Sequence, residues 1–226
     1  MKKQHIPSPA EVMTQIIQRV ERTQIETVYS DIRLLTDDIA SCYKFLLTKL
    51  YDAGCRYVQF DGVHSVIMED TIRLNNRVLR ERPAGMYVAF HAPTDMLVQL
   101  HGADAYFLNY DCGACDRNRL LWFIHEKEAV FGFVLSHYPQ EDELDELQAK
   151  TESVLNYIPL KRFTLCLPDA NALLSPSEAD EEKQWETVRW GWKWLRVSSL
   201  EKRRIPSFRM PHFSKENATF HRGKCH

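Results

Sequence analysis

Five short apolar runs in this chain close on a side chain that can bind a proton, a metal or a substrate. VQFD ends on Asp61, YVAFH on His91, YFLNYD on Asn109 and Asp111, FGFVLSH on His137, and FTLCLPD on Asp169. Carboxylates and imidazoles exchange protons near neutral pH when their surroundings tune them, and imidazole is also a common metal ligand. A CxxC, Cys112-Gly-Ala-Cys115, follows the third run directly. Two thiolates with an imidazole begin a zinc site, and two thiols alone can form a redox pair. A single CxxC also occurs as two cysteines with no task, so all three readings stay open for it.

These residues are positioned by what lies between them. Val12, Ile16, Ile17 and Val20 recur at helical spacing after Pro9, and HIPSP before them reads as the end of a strand. Thr36 is a plausible N-cap for a second helix, with Ile39, Tyr43, Leu46 and Leu50 on one face and Gly54 as its stop. Further helices are expected over 69–82, near 95–100, from Asp116, and from Glu141, where acidic residues crowd the first turn. Strands are expected at 57–61, 86–91, 105–110, 130–136 and 163–168. Strand–helix alternation requires right-handed crossovers and a parallel sheet. A barrel or an open doubly wound sheet satisfies it, and either puts Asp61, His91, Asp111, His137 and Asp169 on one rim.

From Ser177 to Lys202 the chain reads as one amphipathic helix, with Trp185 and Trp192 on one face and Trp190 and Trp194 on another. A stacking platform for bases or sugars is the sharper reading of these tryptophans; a packed terminal helix is the better supported one. Residues 201–226 are basic, rich in Pro and Phe and without period, and are expected to form a flexible or partner-docking tail. The domain proper is then 1–200.

A net charge of −2 from 29 basic and 31 acidic residues excludes a global field directed at nucleic acid or an anionic membrane. No apolar run reaches the roughly 20 residues of a spanning helix. The start, MKKQHIPSP, shows no apolar stretch of a signal peptide. Six cysteines without disulfide-like spacing fit reduced thiols, and the expectation is a cytoplasmic protein.

LYDAGCRYVQFD, the histidine closing YVAFH, FLNYD, GFVLSH, NYIPLKRFTLCLPD and the tryptophan-bearing helix run in the order of a known family. The chain resembles the C-terminal catalytic barrel of cobalamin-independent methionine synthase, and more so the shorter methionine synthase II-like proteins. The resemblance covers about residues 4–195. It implies an α/β fold of the (β/α)8 TIM-barrel type, incomplete, with about six of eight strands and the first two missing. A homo-oligomer or a partner chain completing the wall is then expected, because an open barrel exposes two sheet edges.

The activity implied is transfer of a methyl group from a folate-type donor to the homocysteine thiol, which zinc holds as thiolate. By the same resemblance Asp61 binds the substrate's amino group, His137 is the catalytic proton donor and His91 is a zinc ligand. The other ligand positions hold Pro93, Asn109 and Ala170, none of them a competent donor. Zinc is therefore either lost or rebuilt around Cys112, Cys115 and His91, with Asp111 or His137 as the fourth donor. The alternative to an enzyme is a non-catalytic binding relative that associates with a partner chain.

Overall fold

The computed structural model describes residues 2–137 and 141–166. Its centre is one six-stranded parallel sheet in which strand order equals chain order. The strands are β1 (Lys2–Pro7), β2 (Cys55–Asp61), β3 (Tyr87–His91), β4 (Ala105–Asn109), β5 (Val130–Val134) and β6 (Phe163–Cys166). Helices α1 (Pro9–Arg19), α2 (Arg22–Val28), α3 (Ile32–Asp52), α4 (Glu69–Glu81), α5 (Thr94–Leu97), α6 (Ala114–Ile124) and α7 (Leu144–Leu155) form the connections. The expected strands are all present and parallel. Asp169, Ala170, the helix expected over 177–202 and the tail lie outside the described residues.

Period-2 alternation gives each strand two faces. Val58, Phe60, Val88, Phe90, Tyr106, Leu108, Phe131 and Phe133 point to the helices and meet Met13, Leu47, Leu74, Met96, Leu120 and Val154 in the main core. Each such buried side chain contributes about 1.5–3 kcal/mol. The opposite face carries Tyr57, Gln59, Asp61, Ala89, His91, Phe107 and Cys166 in alternation with that core. There Tyr57 stacks on Tyr87 with ring centroids 4.8 Å apart.

That inner face is concave. Cys166 Sγ on β6 lies 3.6 Å from Gln59 Oε1 on β2, although three strands separate the two in the sheet. A flat sheet at roughly 4.8 Å per strand would hold them some 19 Å apart. The sheet is curled into an incomplete barrel of the TIM type, with β1 and β6 as its edges among the described residues.

The structure departs from expectation near the N-terminus. HIPSP closes a full six-residue strand rather than a remnant. The helix expected from Thr36 is α3, preceded by the unexpected α2; it begins at Ile32 with Asp31 as its cap, accepting from the Arg33 N–H at 2.9 Å. Thr36 is an interior residue whose hydroxyl donates back to the Ile32 carbonyl at 3.0 Å. Gly54 does stop that helix, at φ +88°.

Candidate functional site

The C-terminal ends of β1, β2 and β3 are locked together by backbone hydrogen bonds. Ser8 caps α1 by accepting from the Glu11 N–H at 3.0 Å, while its own N–H donates to the Asp61 carbonyl at 2.7 Å. Pro9 follows at the first helical position, where its missing N–H costs nothing. The Pro7 carbonyl accepts from the Tyr43 hydroxyl at 2.7 Å. After Asp61 the chain needs glycine: a Cβ on Gly62 would stand 2.5 Å from Ser8 Oγ. The Gly62 N–H donates to the His91 carbonyl at 2.8 Å and ties β2 to β3.

On this frame four polar side chains from four adjacent strands form a chain of hydrogen bonds. Asp61 and His91 are register partners on β2 and β3. Asp61 Oδ1 lies 3.3 Å from His91 Nδ1 and accepts from Gln59 Nε2 at 3.1 Å. Asp61 Oδ2 lies 3.4 Å from Nδ1 of His5 on β1. His91 Nε2 in turn lies 2.6 Å from Asn109 Oδ1 on β4. The 2.6 Å contact is short and the two histidine contacts to Asp61 are long, so among the histidine links His91–Asn109 is the firm one. His91 is 9% exposed, whereas His5 and Asp61 are 32% and 37% exposed at the side chain.

Burial acts to raise the Asp61 carboxyl, but the bonds from His5, His91 and Gln59 outweigh it and hold it well below the usual carboxylate range. Asp61 is therefore a fixed anion, partly open to solvent. Both ring nitrogens of His91 are engaged within the protein.

His137 lies three residues past the end of β5, on the same rim but in a separate group. Its Nε2 bonds Glu143 at 2.8 and 2.9 Å, and its Nδ1 lies 3.0 Å from Ser136 Oγ. It borders a cleft of about 50 Å³ lined also by Tyr110, Asp111, Glu146 and Leu147, large enough for water-sized guests. Cys112 is half-buried beside the start of α6 and Cys115 is exposed in its first turn. Burial pushes the Cys112 thiol up, away from the thiolate that a metal or redox role requires. Among the described residues, no three His, Cys, Asp or Glu side chains gather as a metal site would need.

His5, Gln59 and the bonding role of Asn109 were missed by sequence reasoning. His5 had one signal available, its place two residues before the end of a strand, which is the inward position of Gln59, its register partner.

The fold and rim define an incomplete parallel α/β barrel with a His–Asp–His–Asn array at the C-terminal ends of its strands. The chain is similar to a solved protein from Listeria monocytogenes assigned as a vitamin-B12-independent methionine synthase. The TM-score is 0.61 at 24% identity, covering 84% of this chain and 62% of that one, a likeness that shows a shared fold. It is also 24% identical over 204 residues to the uncharacterized protein YxjH of Bacillus subtilis (strain 168), covering 72% of this chain and 54% of the relative. With the uncharacterized protein YxjG of the same organism the identity is 22% over 202 residues, 71% of this chain and 53% of the relative. The chain thus spans about half the length of the curated relatives it matches. No family model matches it.

Proposed function

We propose that this methionine-synthase-like protein keeps a rim for a small amino-acid thiol but does not use zinc to hold that thiol. The observation that carries the reading is the 2.6 Å bond between His91 Nε2 and Asn109 Oδ1. An imidazole binds a metal through a ring nitrogen that the cation can reach, and here Asp61 and Asn109 stand against both nitrogens. A zinc site needs about four donors. Pro93 supplies none, and the neutral amide of Asn109 bonds the ring instead of a metal. The residues do not fit the metal.

Asp61 is the group for the ligand's amino end: a carboxylate that stays ionised and faces solvent in part. On this reading the protein is a non-catalytic relative with respect to methyl transfer, and the edges at β1 and β6 are where a second copy or a partner chain completes the wall. The competing reading is a methyltransferase with its metal rebuilt on Cys112 and Cys115. One observation favours it: His137 held by Glu143 beside a cleft, a pairing suited to a proton donor.

Metal analysis and a transfer assay separate the two. The purified protein is expected to hold far less than stoichiometric zinc and to move no methyl group from a methyltetrahydrofolate-type donor to homocysteine. Stoichiometric zinc lost on His91→Ala, together with transfer activity, overturns the proposal. Zinc kept in His91→Ala but lost in Cys112→Ser/Cys115→Ser establishes the rebuilt site.

A further inference from the structure

Three histidines stand at the strand ends, and their ring nitrogens are not equally occupied. His91 bonds through both, to Asp61 and Asn109. His137 bonds through both, to Ser136 and Glu143. His5 bonds through Nδ1 alone, and its Nε2 has no partner among the described residues. Its side chain is 32% exposed, so a ligand can reach it. The tautomer follows from the partner. An ionised carboxylate only accepts, so Nδ1 carries the hydrogen toward Asp61 Oδ2 and Nε2 keeps its lone pair. Asp61 is itself anchored through its other oxygen by Gln59 and His91.

We propose that His5 is the proton acceptor of this rim, taking the S–H proton of a small thiol at Nε2 so that the ligand is held as thiolate. The inference rests on the reading of the rim as a thiol site. An imidazole backed by a carboxylate is the arrangement that activates nucleophiles where no metal does so. The choice of acid follows from matched strengths. Imidazole as a class titrates near 6.5 and a thiol near 8.5, whereas amines sit near 10 and aliphatic hydroxyls are far weaker acids. In the step the S–H bond breaks, its electron pair stays on sulfur, and an N–H bond forms at Nε2. The imidazolium then lies between Asp61 and the thiolate, and no further reactant is required.

The test uses the full chain at neutral pH with L-homocysteine as probe and L-methionine as its thiol-free counterpart. Binding is followed by calorimetry, and ionisation by the ultraviolet absorbance of the thiolate. Expected is binding of both probes, with a thiolate band for homocysteine that is lost in His5→Gln at homocysteine concentrations that calorimetry shows to fill the site. A band that persists in His5→Gln overturns the role of His5. Homocysteine that binds wild type without a band overturns it too and leaves the thiol rim standing. No binding of either probe overturns the rim and the proposal together. If His5→Gln does not fold, nitrogen NMR of imidazole-labelled wild type decides. His5 Nε2 must gain a proton on homocysteine and not on methionine, and failure to do so refutes the assignment.

Discussion

Gly132 lies at the middle of β5 on the concave face, and replacing it with alanine tests whether that face is packed as tightly as described. The added Cβ would stand 2.2 Å from Cε1 and 2.5 Å from Cδ1 of Phe107, and 2.9 Å from the Thr164 carbonyl oxygen. Comfortable carbon contacts begin near 3.5 Å. Neither neighbour retreats easily. Phe107 is 1% exposed, and Thr164 is the register partner of Gly132 in β6. Overpacking of this kind costs about 1–3 kcal/mol, and two rigid obstacles place it near the top of the range. Loss of glycine's freedom in the unfolded chain returns about 0.5–1 kcal/mol. The net is about 2 kcal/mol, or a melting temperature lower by roughly 4–8 °C for a chain of this size. Thermal unfolding followed by circular dichroism reads it directly. A companion change, Phe107→Leu, removes the ring atoms in question, so the double variant should be more stable than the sum of the single losses. A Gly132→Ala protein that melts within about 1 °C of wild type, or strict additivity with Phe107→Leu, would show the packing argument to be wrong.

Asp61 carries an acid-side prediction. Its carboxyl titrates below the ordinary value in the fold, so the stabilisation it gives is complete above about pH 4 and is lost as pH falls from there. Asp61→Asn should therefore lower the urea midpoint at neutral pH by more than it does near pH 3; a gap that widens on acidification contradicts the bonding described. The edges that β1 and β6 form among the described residues carry the other: sedimentation at micromolar concentration should show association, and a monodisperse monomer with low dye binding removes the partner from the proposal.

The strands were legible because each apolar run is short, bounded and capped by a polar residue, and the rim followed from their ends. Asp61 and His91 were found that way and do meet. The start of α3 was misread because exposed Ile32 and Leu34 carry no helical stripe, so the first apolar periodicity appears only past Thr36. β1 was underestimated because an edge strand beginning Lys-Lys-Gln lacks the apolar alternation of a half-buried one. His5 was missed for a related reason. A single histidine between lysines and prolines has no period, and it is the pairing of β1 with β2, which sets it beside Gln59, that brings its ring to Asp61. The His91–Asn109 bond could be anticipated only as an absence of zinc donors; that the two side chains satisfy each other is a matter of barrel geometry.

Because strand order equals chain order, each new strand emerging from the ribosome finds its partner already made. The connections are helical, three helices before β2 and one α-helix before each later strand, so the sheet can be laid down one unit at a time. The contact between Gln59 and Cys166 is of another kind, joining residues 107 positions apart. It forms only after β6 has arrived, and the concave lining stays wet until then. A chain stalled before residue 163 would hold four sound strand junctions and a hollow with no far wall, and that half-made hollow is the form a chaperone would have to shelter.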